Sequence, residues 1–552
     1  MSDSTATLEP VARGILPAPL VPLSPTASVP ALDGPTDDEK LAYLRGGQHR
    51  WLFVLSALAF AGVAASLAGL ALRSYWTLVF LVPLGLMLVE QALALVTSTR
   101  RRRLTLGEHV ATVRSWDPVV APSVDVFIPT SGEDLEVLAT TTAAALRLDW
   151  DGSLLVHLLD DAARPEVERL AVALGARYLA RPGSAFKKAG NLQHALERTE
   201  GEHVLILDAD FVPRPDLLRE LVPYLDDPAV GIVQSPQFFA TARSMKWLER
   251  CAGATQEMFF RFIQPSRDAV DAAICVGTSA VYRRAALDAI GGFPLVGHSE
   301  DVVTGVRMRD AGFSLRYVPV VLSRGVCPDD LDAFIAQQYR WCEGSMALMT
   351  DRRWIADESI SGRQRLSFWA GFLYYVNTAL FAVVAPLPLL VMAFFFPGSI
   401  APENSLPLAG AVLLWLVVLP AVSRSRWRPE VLRVQTIYGF AHLFCILDML
   451  RGRVAEWVPT GARAVRSPVA HRVRRFMGGY LLATQGLVAL GLTLGVVHHG
   501  LGEYWSTLAL ALLMAYVALP VASAALRPSA PADAVLVRSP GDALPLLLGG
   551  GR

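Results

Sequence analysis

Two apolar runs in the middle of the chain end in paired carboxylates. SLLVHLLDD closes on Asp160 and Asp161, and HVLILDAD closes on Asp208 and Asp210. A buried strand that finishes in charged side chains is destabilised unless those charges meet water, a cation or hydrogen-bond donors. Asp-x-Asp at a strand end offers hard oxygen ligands to a divalent ion, and that ion can bridge a diphosphate. Neutralising a departing diphosphate is Lewis-acid assistance to a leaving group. Aspartates at strand ends also cap loops and helices. One pair alone leaves both roles open; two pairs in one domain favour the chemical one.

A third acidic cluster, His298-Ser299-Glu300-Asp301, opens a helical pattern at 302–310. An acidic residue there complements the helix dipole, and it could equally serve as a base toward a hydroxyl. Further on, LDAFIAQQYRWCEGSMALM has a helical pattern in which Gln337, Arg340 and Trp341 stand at i, i+3 and i+4 and so share a face. Trp supplies a flat platform for a sugar, while Arg and Gln supply donors to phosphate or hydroxyls. A Trp packed against its own domain, with Arg in solvent, is the ordinary alternative.

The elements that must position these residues alternate between 120 and 320. Strands are expected at 124–129, 154–159, 203–207, 231–234 and 274–282, with helices near 134–147, 164–174, 186–198, 215–225 and 243–264. Such alternation predicts an α/β domain around a mostly parallel sheet, whose ligands bind beyond the carboxyl ends of the strands. The acidic pairs fall there.

This domain is framed by membrane-like sequence. The chain has 552 residues, 53% hydrophobic and 18% charged, with net charge zero. No global field favours nucleic acid. The five cysteines lack CxxC spacing and read as free thiols. About 20 apolar residues cross a bilayer as a helix, and stretches at 51–72, 75–97, 370–396, 405–423, 476–497 and 503–525 qualify. Arg100 to Arg103, Arg424, Arg426, Arg428, Arg472, Arg474 and Arg475 flank them on one side. The positive-inside rule then predicts a cell-membrane protein with the 98–365 segment, the 424–475 loop and both termini cytoplasmic. Residues 431–450 are expected to lie along the interface. Residues 1–45, rich in Pro, Ser and Thr, are expected to be disordered. They lack a cleavable-signal pattern, which makes the first span a retained anchor. The expected division is thus 1–45, a hairpin at 46–98, the α/β domain at 99–350, 351–423 with a second hairpin, 424–475, a third hairpin at 476–525, and a tail at 526–552. Polar and aromatic groups within the spans are Glu90, Trp369, Tyr374, Tyr375, Asn377 and Gln485. They would face a wet cavity or, for the aromatic residues, the interface.

Taken in order, LLDD, LDAD, HSED and QQYRW resemble the processive, membrane-embedded family 2 glycosyltransferases, and in particular the cellulose synthase catalytic subunit. VDVFIPTSGED (124–134), KAGN (188–191), QEMFFRFIQ (256–264) and VGTSAVYRR (276–284) add to the likeness. The resemblance implies a GT-A-type nucleotide-diphospho-sugar transferase domain between two spans before and four after it. It implies that Thr130, Glu133, Asp160, Asp161 and Lys188 line the donor nucleotide pocket. Asp208 and Asp210 would bind diphosphate with Mg²⁺ or Mn²⁺, and Asp301 would be the general base. Gln337 and Arg340 would hold donor phosphates, Trp341 would stack on the acceptor, and Gly277 and Thr278 would lie near its end. The implied reaction is a single inverting displacement from a UDP-sugar, with UDP-glucose the expected donor, onto a β-linked polysaccharide passed across the membrane. Single addition to a lipid-linked acceptor, or an inert transporter or scaffold, are the competing functions. AEWVPTGARA (455–464) resembles the loop over the donor pocket, with Trp457, Thr460 and Arg463 at its key positions. Departures are Ala162 where glycine is usual, Ser299 where Thr is usual, and Phe211 where histidine is frequent. No cyclic di-GMP receptor signature is seen.

Overall fold

The computed structural model describes residues 32–45, 49–181, 183–297, 299–350, 360–453 and 467–527. The expectations for residues 1–31, His298, the 455–464 loop and the tail beyond 527 fall outside the described residues.

Among the described residues ten strands form two sheets. They are β1 (Val124–Thr130), β2 (Leu154–Asp160), β3 (Arg177–Ala180), β4 (His203–Ile206), β5 (Val212–Pro213), β6 (Val230–Gln234), β7 (Phe238–Phe239), β8 (Ala280–Arg283), β9 (Ser314–Tyr317) and β10 (Ser323–Gly325). The larger sheet has the order β3-β2-β1-β4-β8-β6-β9. All neighbouring pairs in it are parallel except those of β8, which runs antiparallel to both β4 and β6. The smaller sheet is β5-β10-β7.

The central strands are apolar on both faces because helices cover both. Val126, Ile128, Val156, Leu158, Leu205 and Leu207 pack into one core. Their chain neighbours Phe127, Leu159, Val204 and Ile206 pack into a second on the opposite face. Period-two alternation between two buried faces is what a continuous Val/Ile/Leu run delivers in a parallel sheet. The one carboxylate inside β1, Asp125, is buried and accepts from His157 Nε2 (2.9 Å), Gly201 N (2.7 Å) and Arg284 Nη2 (3.3 Å).

The expected strands at 124–129, 154–159, 203–207 and 231–234 agree with β1, β2, β4 and β6 within a residue at each end. The expected strand at 274–282 is shorter, because 274–279 is a loop that bends at Gly277 and Ser279 and pairing starts at Ala280. β3 and β9 were not expected. Each is four residues long and flanks the sheet, with partly exposed polar positions that break the apolar signal.

The helices used below are α1 (Trp51–Ala71), α2 (Leu81–Ser98), α3 (Lys187–Leu196), α4 (Trp247–Met258), α5 (Gln264–Asp268), α6 (Glu300–Asp310), α7 (Leu331–Thr350), α8 (Gly362–Val384), α9 (Val431–Leu450), α10 (Pro468–His499) and α11 (Leu501–Leu526). Seven helices among the described residues are long and apolar enough to cross a membrane: Trp51–Ala71, Tyr75–Ser98, Gly362–Phe395, Pro402–Val422, Val431–Leu450, Pro468–His499 and Leu501–Leu526. Six coincide with the expected spans, the third starting about a turn or two earlier. The seventh is α9, read from the sequence as interfacial. It is the least hydropathic of the set and the most enclosed, with 61% of its window buried by other parts of the protein.

That burial ties the α/β domain to the apolar helices. Tyr339 of α7 donates to Asp448 of α9 (3.1 Å), which also accepts from Arg472 of α10 (2.5 and 3.2 Å). Arg474 grips Asp332 at the start of α7 with two 3.0 Å contacts. On the other side, Glu257 of α4 is buried and accepts from Arg261 (2.6 Å), Arg424 N (2.8 Å), Ser425 N (2.7 Å) and Ser425 Oγ (2.5 Å).

Candidate active site

The carboxyl ends of β1, β2 and β4 face one cavity of about 2270 Å³, which continues among the apolar helices. Thr130, Glu133, Asp161, Lys188, Asp208, Asp210, Asp301, Gln337, Arg340 and Trp341 all border it. Residues far apart in the chain, from Thr130 to Trp341, are therefore brought to one cleft, beside the face of α7 that carries Gln337, Arg340 and Trp341.

β1 and β2 are in register with Thr130 opposite Asp160. Past the strand end, Glu133 Oε2 turns back to accept from Thr130 Oγ1 (2.6 Å), Ser131 N (2.7 Å) and Gly132 N (3.2 Å). Arg164 joins the two strand ends, donating to Thr130 Oγ1 (2.6 Å), to the Glu133 carbonyl (2.9 Å) and to Asp160 Oδ1 (3.3 Å).

Asp160 and Asp161 therefore part company. Asp160 is fully buried and does not border the cleft. Its oxygens accept from Ala162 N (3.2 Å), Arg164 N (2.6 Å), Arg164 Nε and Tyr178 Oη (3.2 Å). This corrects its expected place in the donor pocket: alternation along β2 turns it inward, where it holds the loop that opens the next helix. Asp161 faces the cleft and is clamped by Arg181, Nε to Oδ1 at 2.5 Å and Nη2 to Oδ2 at 3.0 Å. Arg181 also donates to the carbonyls of Ala185 (2.7 Å) and Lys187 (2.9 Å), so it fixes the turn leading into α3. Neither Arg164 nor Arg181 was singled out from the sequence.

Lys188 opens α3 and reaches across to the second acidic pair. Its Nζ donates to Asp208 Oδ1 (2.5 Å) and to the Gly277 carbonyl (3.0 Å), with Glu300 Oε1 at 3.8 Å. Burial opposes its charge, but the carboxylates of Asp208, Glu300 and Asp301 outweigh that and raise its pKa. Asp210 lies deeper. Burial, then the nearby Asp208 and Glu133, push its carboxyl up to about 7. Clustered like charges in a low-dielectric cleft have this effect.

Asp301, on the first turn of α6, follows Ser299 in a left-handed conformation (φ 53°). Its Oδ1 accepts from Val302 N (2.8 Å). Burial and the adjacent Glu300 raise it to about 7, with Lys188 opposing. A carboxyl poised near neutrality in a cleft is suited to taking a proton.

Gly277 and Thr278 were expected near the acceptor end; the structure sets them against the acidic residues of the cleft. Neither borders the cleft. Thr278 is buried, and its Oγ1 accepts from Asp208 N (2.8 Å). Gly277 (φ +70°) passes so near Asp301 that a side chain would collide with it. Both hold acidic residues of the site in place.

On α7, Asp330 caps the start by accepting from Asp332 N (2.9 Å) and Ala333 N (3.0 Å). Gln337 Oε1 is buried without a hydrogen-bond partner among the described residues. Burial lowers Arg340 to about 10, partly offset by Glu300 and Glu343, so it stays cationic at neutral pH. Gly344 stands where a Cβ would meet Ser299 Oγ at 1.6 Å. This close approach seats the Trp341 helix on the turn before Asp301, and it had no sequence signal beyond the glycine itself. Phe211 fills the place after Asp210 by packing edge-on against Phe239 (5.4 Å).

Among the intramembrane groups, Glu90, Tyr374, Tyr375, Asn377 and Gln485 border the cavity. Trp369 does not; it packs with Phe372.

The sequence profile described as "Glycosyl transferase family group 2" matches residues 203–423. Among curated proteins, the cellulose synthase 1 catalytic subunit (UDP-forming) of Komagataeibacter xylinus is 33% identical over 288 residues, which is 51% of this chain and 38% of that one. The corresponding subunit of Xanthomonas axonopodis pv. citri is 31% identical over 259 residues, 46% of this chain and 36% of that one. The matched region thus spans under two fifths of those relatives' length. Among solved structures, the mannosyltransferase PcManGT of Pyrobaculum calidifontis, in complex with GDP-Man and Mn²⁺, aligns over 72% of this chain and 100% of its own. It is 19% identical, with a TM-score of 0.47. The ordered acidic motifs and the sequence relatives point the same way: residues 203–423 match the family 2 glycosyltransferase profile, and the chain is similar to cellulose synthase catalytic subunits.

Proposed function

We propose that the protein is a processive inverting glycosyltransferase that extends a β-linked polysaccharide from a UDP-sugar, UDP-glucose being the expected donor, and passes the chain across the membrane. One observation carries the reading. Asp208, Asp210, Asp301 and Trp341 border a single cavity that runs on between apolar helices carrying Glu90, Asn377 and Gln485 on its wall.

In this mechanism Thr130, Glu133 and Asp161 hold the nucleotide, and Arg340 and Gln337 reach the diphosphate. Gln337 Oε1 has no hydrogen-bond partner among the described residues, so its amide is free to turn toward a ligand. Trp341 stacks on the terminal sugar of the acceptor. Asp301 takes the proton from the acceptor hydroxyl as its oxygen bonds to the anomeric carbon. The bond from that carbon to the diphosphate breaks, and UDP leaves with the electron pair. Lys188 stabilises the ionised form of Asp301 beforehand, and with it the form able to accept that proton.

The cleft suits a divalent ion. Asp208 and Asp210 offer hard oxygens, and crowding among Asp208, Asp210 and Glu133 is the repulsion a cation relieves. No cluster of three or more ligating side chains occurs among the described residues. Asp208 and Asp210 are the residues that would hold Mg²⁺ or Mn²⁺. When bound, the ion supplies charge neutralisation for the departing diphosphate.

The basic groups Arg100 to Arg103, Arg472, Arg474 and Arg475 support a cytoplasmic location for the α/β domain, at the cell membrane. The test is purified protein in vesicles supplied with a panel of radiolabelled UDP- and GDP-sugars, followed by linkage-specific digestion. Long β-linked polymer is expected. Lipid-linked products carrying one sugar would replace processive synthesis by single addition.

A further inference from the structure

Where the catalytic cleft opens among the apolar helices, its wall carries a cation that the reaction above does not use. Arg267 sits on α5, just after a π-helical stretch at Phe259–Ile263 that shifts the helix register. It is only 5% exposed, yet it borders the same cavity as Asp301 and Trp341. Its Nη1 is buried without a hydrogen-bond partner. Among the described residues no carboxylate pairs with it, and its charged neighbour is another cation, Arg100. The adjacent Asp268 spends Oδ1 on Tyr317 N (3.0 Å).

The guanidinium is nevertheless held in place. The Phe259 ring lies 5.9 Å from it, and Gly371 of α8 leaves it room that a Cβ, 2.6 Å from Nη2, would remove. Tyr375, one turn beyond Gly371, hydrogen-bonds Ser345 of α7, and Ser345 stands one turn beyond Trp341. Leu348 of α7 packs with Phe372 of α8, so the two helices run antiparallel and Arg267, beside Gly371, is about two helical turns beyond the Trp341 platform. A buried, uncompensated guanidinium on a cavity wall is costly on its own and is satisfied when a ligand supplies the acceptor.

We propose that Arg267 forms a product-side subsite, donating to an oxygen acceptor on a saccharide unit beyond the one stacked on Trp341. The subsite rests on the transferase reading above. The acceptor is either a hydroxyl of a neutral sugar or the carboxylate of an acidic one.

The test uses the full chain in detergent and two fluorescently labelled probes, a β-linked glucotetraose and the same tetramer carboxylated at C6. Losing one charged hydrogen bond weakens binding about tenfold or more, so R267L should bind at least one probe that much more weakly, with R267K intermediate. A loss confined to the carboxylated probe assigns an acidic unit to the subsite; an equal loss for both assigns a hydroxyl. Unchanged binding of both probes by R267L overturns the proposal, as does a wild type that binds neither. The thermal midpoint guards against a folding artefact, since removing an unpaired buried charge should leave it unchanged or raised. A lowered midpoint that R267K restores without restoring binding makes Arg267 a packing residue and also overturns the proposal. Sugar transfer is followed in the same samples. Arg267-dependent binding without transfer by the wild type removes the transferase reading and leaves the subsite; transfer with Arg267-independent binding does the reverse.

Discussion

A β-carbon added to Gly277 would lie 2.9 Å from Cβ of Asp301, closer than two such atoms pack. The loop before β8 and the first turn of α6 are in contact at that point, and the Gly277 carbonyl also accepts from Lys188 (3.0 Å). The glycine thereby sets the position of both the proposed base and the cation beside it.

Gly277→Ala is expected to displace Asp301 and to strain a backbone held at φ +70°. Left-handed backbone costs a non-glycine residue about 1–2 kcal/mol, and a shift of an ångström at a reacting group costs about 100-fold in rate. Transfer should fall by roughly that factor, with the donor KM little changed. Steady-state kinetics on reconstituted vesicles checks it, and full activity would separate the Gly277 contact from catalysis.

Asp301 acts only when ionised, and its carboxyl is raised to about 7. A raised carboxylate holds its proton longer in the folded protein, so kcat/KM should fall as pH drops below about 7 and level off above it. Asp301→Asn should lower transfer by about 10²–10⁴ at all pH values without that acid limb. A pH-rate profile of both proteins is the measurement.

Lys188 compensates Asp208, Glu300 and Asp301 together. Lys188→Met should therefore move the acid limb to higher pH, because Asp301 loses the charge that favours its ionised form. A limb that stays in place or moves down would contradict this electrostatic role.

Removal of divalent cations should stop transfer, and added Mg²⁺ or Mn²⁺ should restore it. Asp210→Asn should raise the metal concentration needed for half-maximal rate rather than abolish folding. Undiminished turnover in excess chelator would rule out the metal role of Asp208 and Asp210.

Glu257 gathers four donors at the junction of α4 with the loop after Val422. Breaking a buried ion pair by removing one partner costs about 3–5 kcal/mol. Glu257→Ala should thus lower the thermal midpoint in detergent markedly, and Glu257→Gln less so. Equal midpoints for all three proteins would show the junction to be held elsewhere.

Much of this architecture could be read along the chain. Apolar runs ending in Asp208 and Asp210, the i, i+3, i+4 spacing of Gln337, Arg340 and Trp341, and six long apolar stretches are local patterns, and local patterns determine strands, helix faces and spans. What remained hidden depends on contacts between distant segments. Asp160 and Asp161 look alike in sequence, but the pleat turns one into a buried loop anchor and the other toward Arg181, twenty residues on. Arg267 becomes an unpaired cation on the cavity wall only because Gly371 and Tyr375 of a distant helix close around it, together with Phe259 from the preceding turns of its own. α9 is apolar enough to span a membrane, yet the helices packed around it decide what its surface meets. Burial and pairing are properties of the assembled fold, since they depend on which residues far apart in the chain come to share one low-dielectric space.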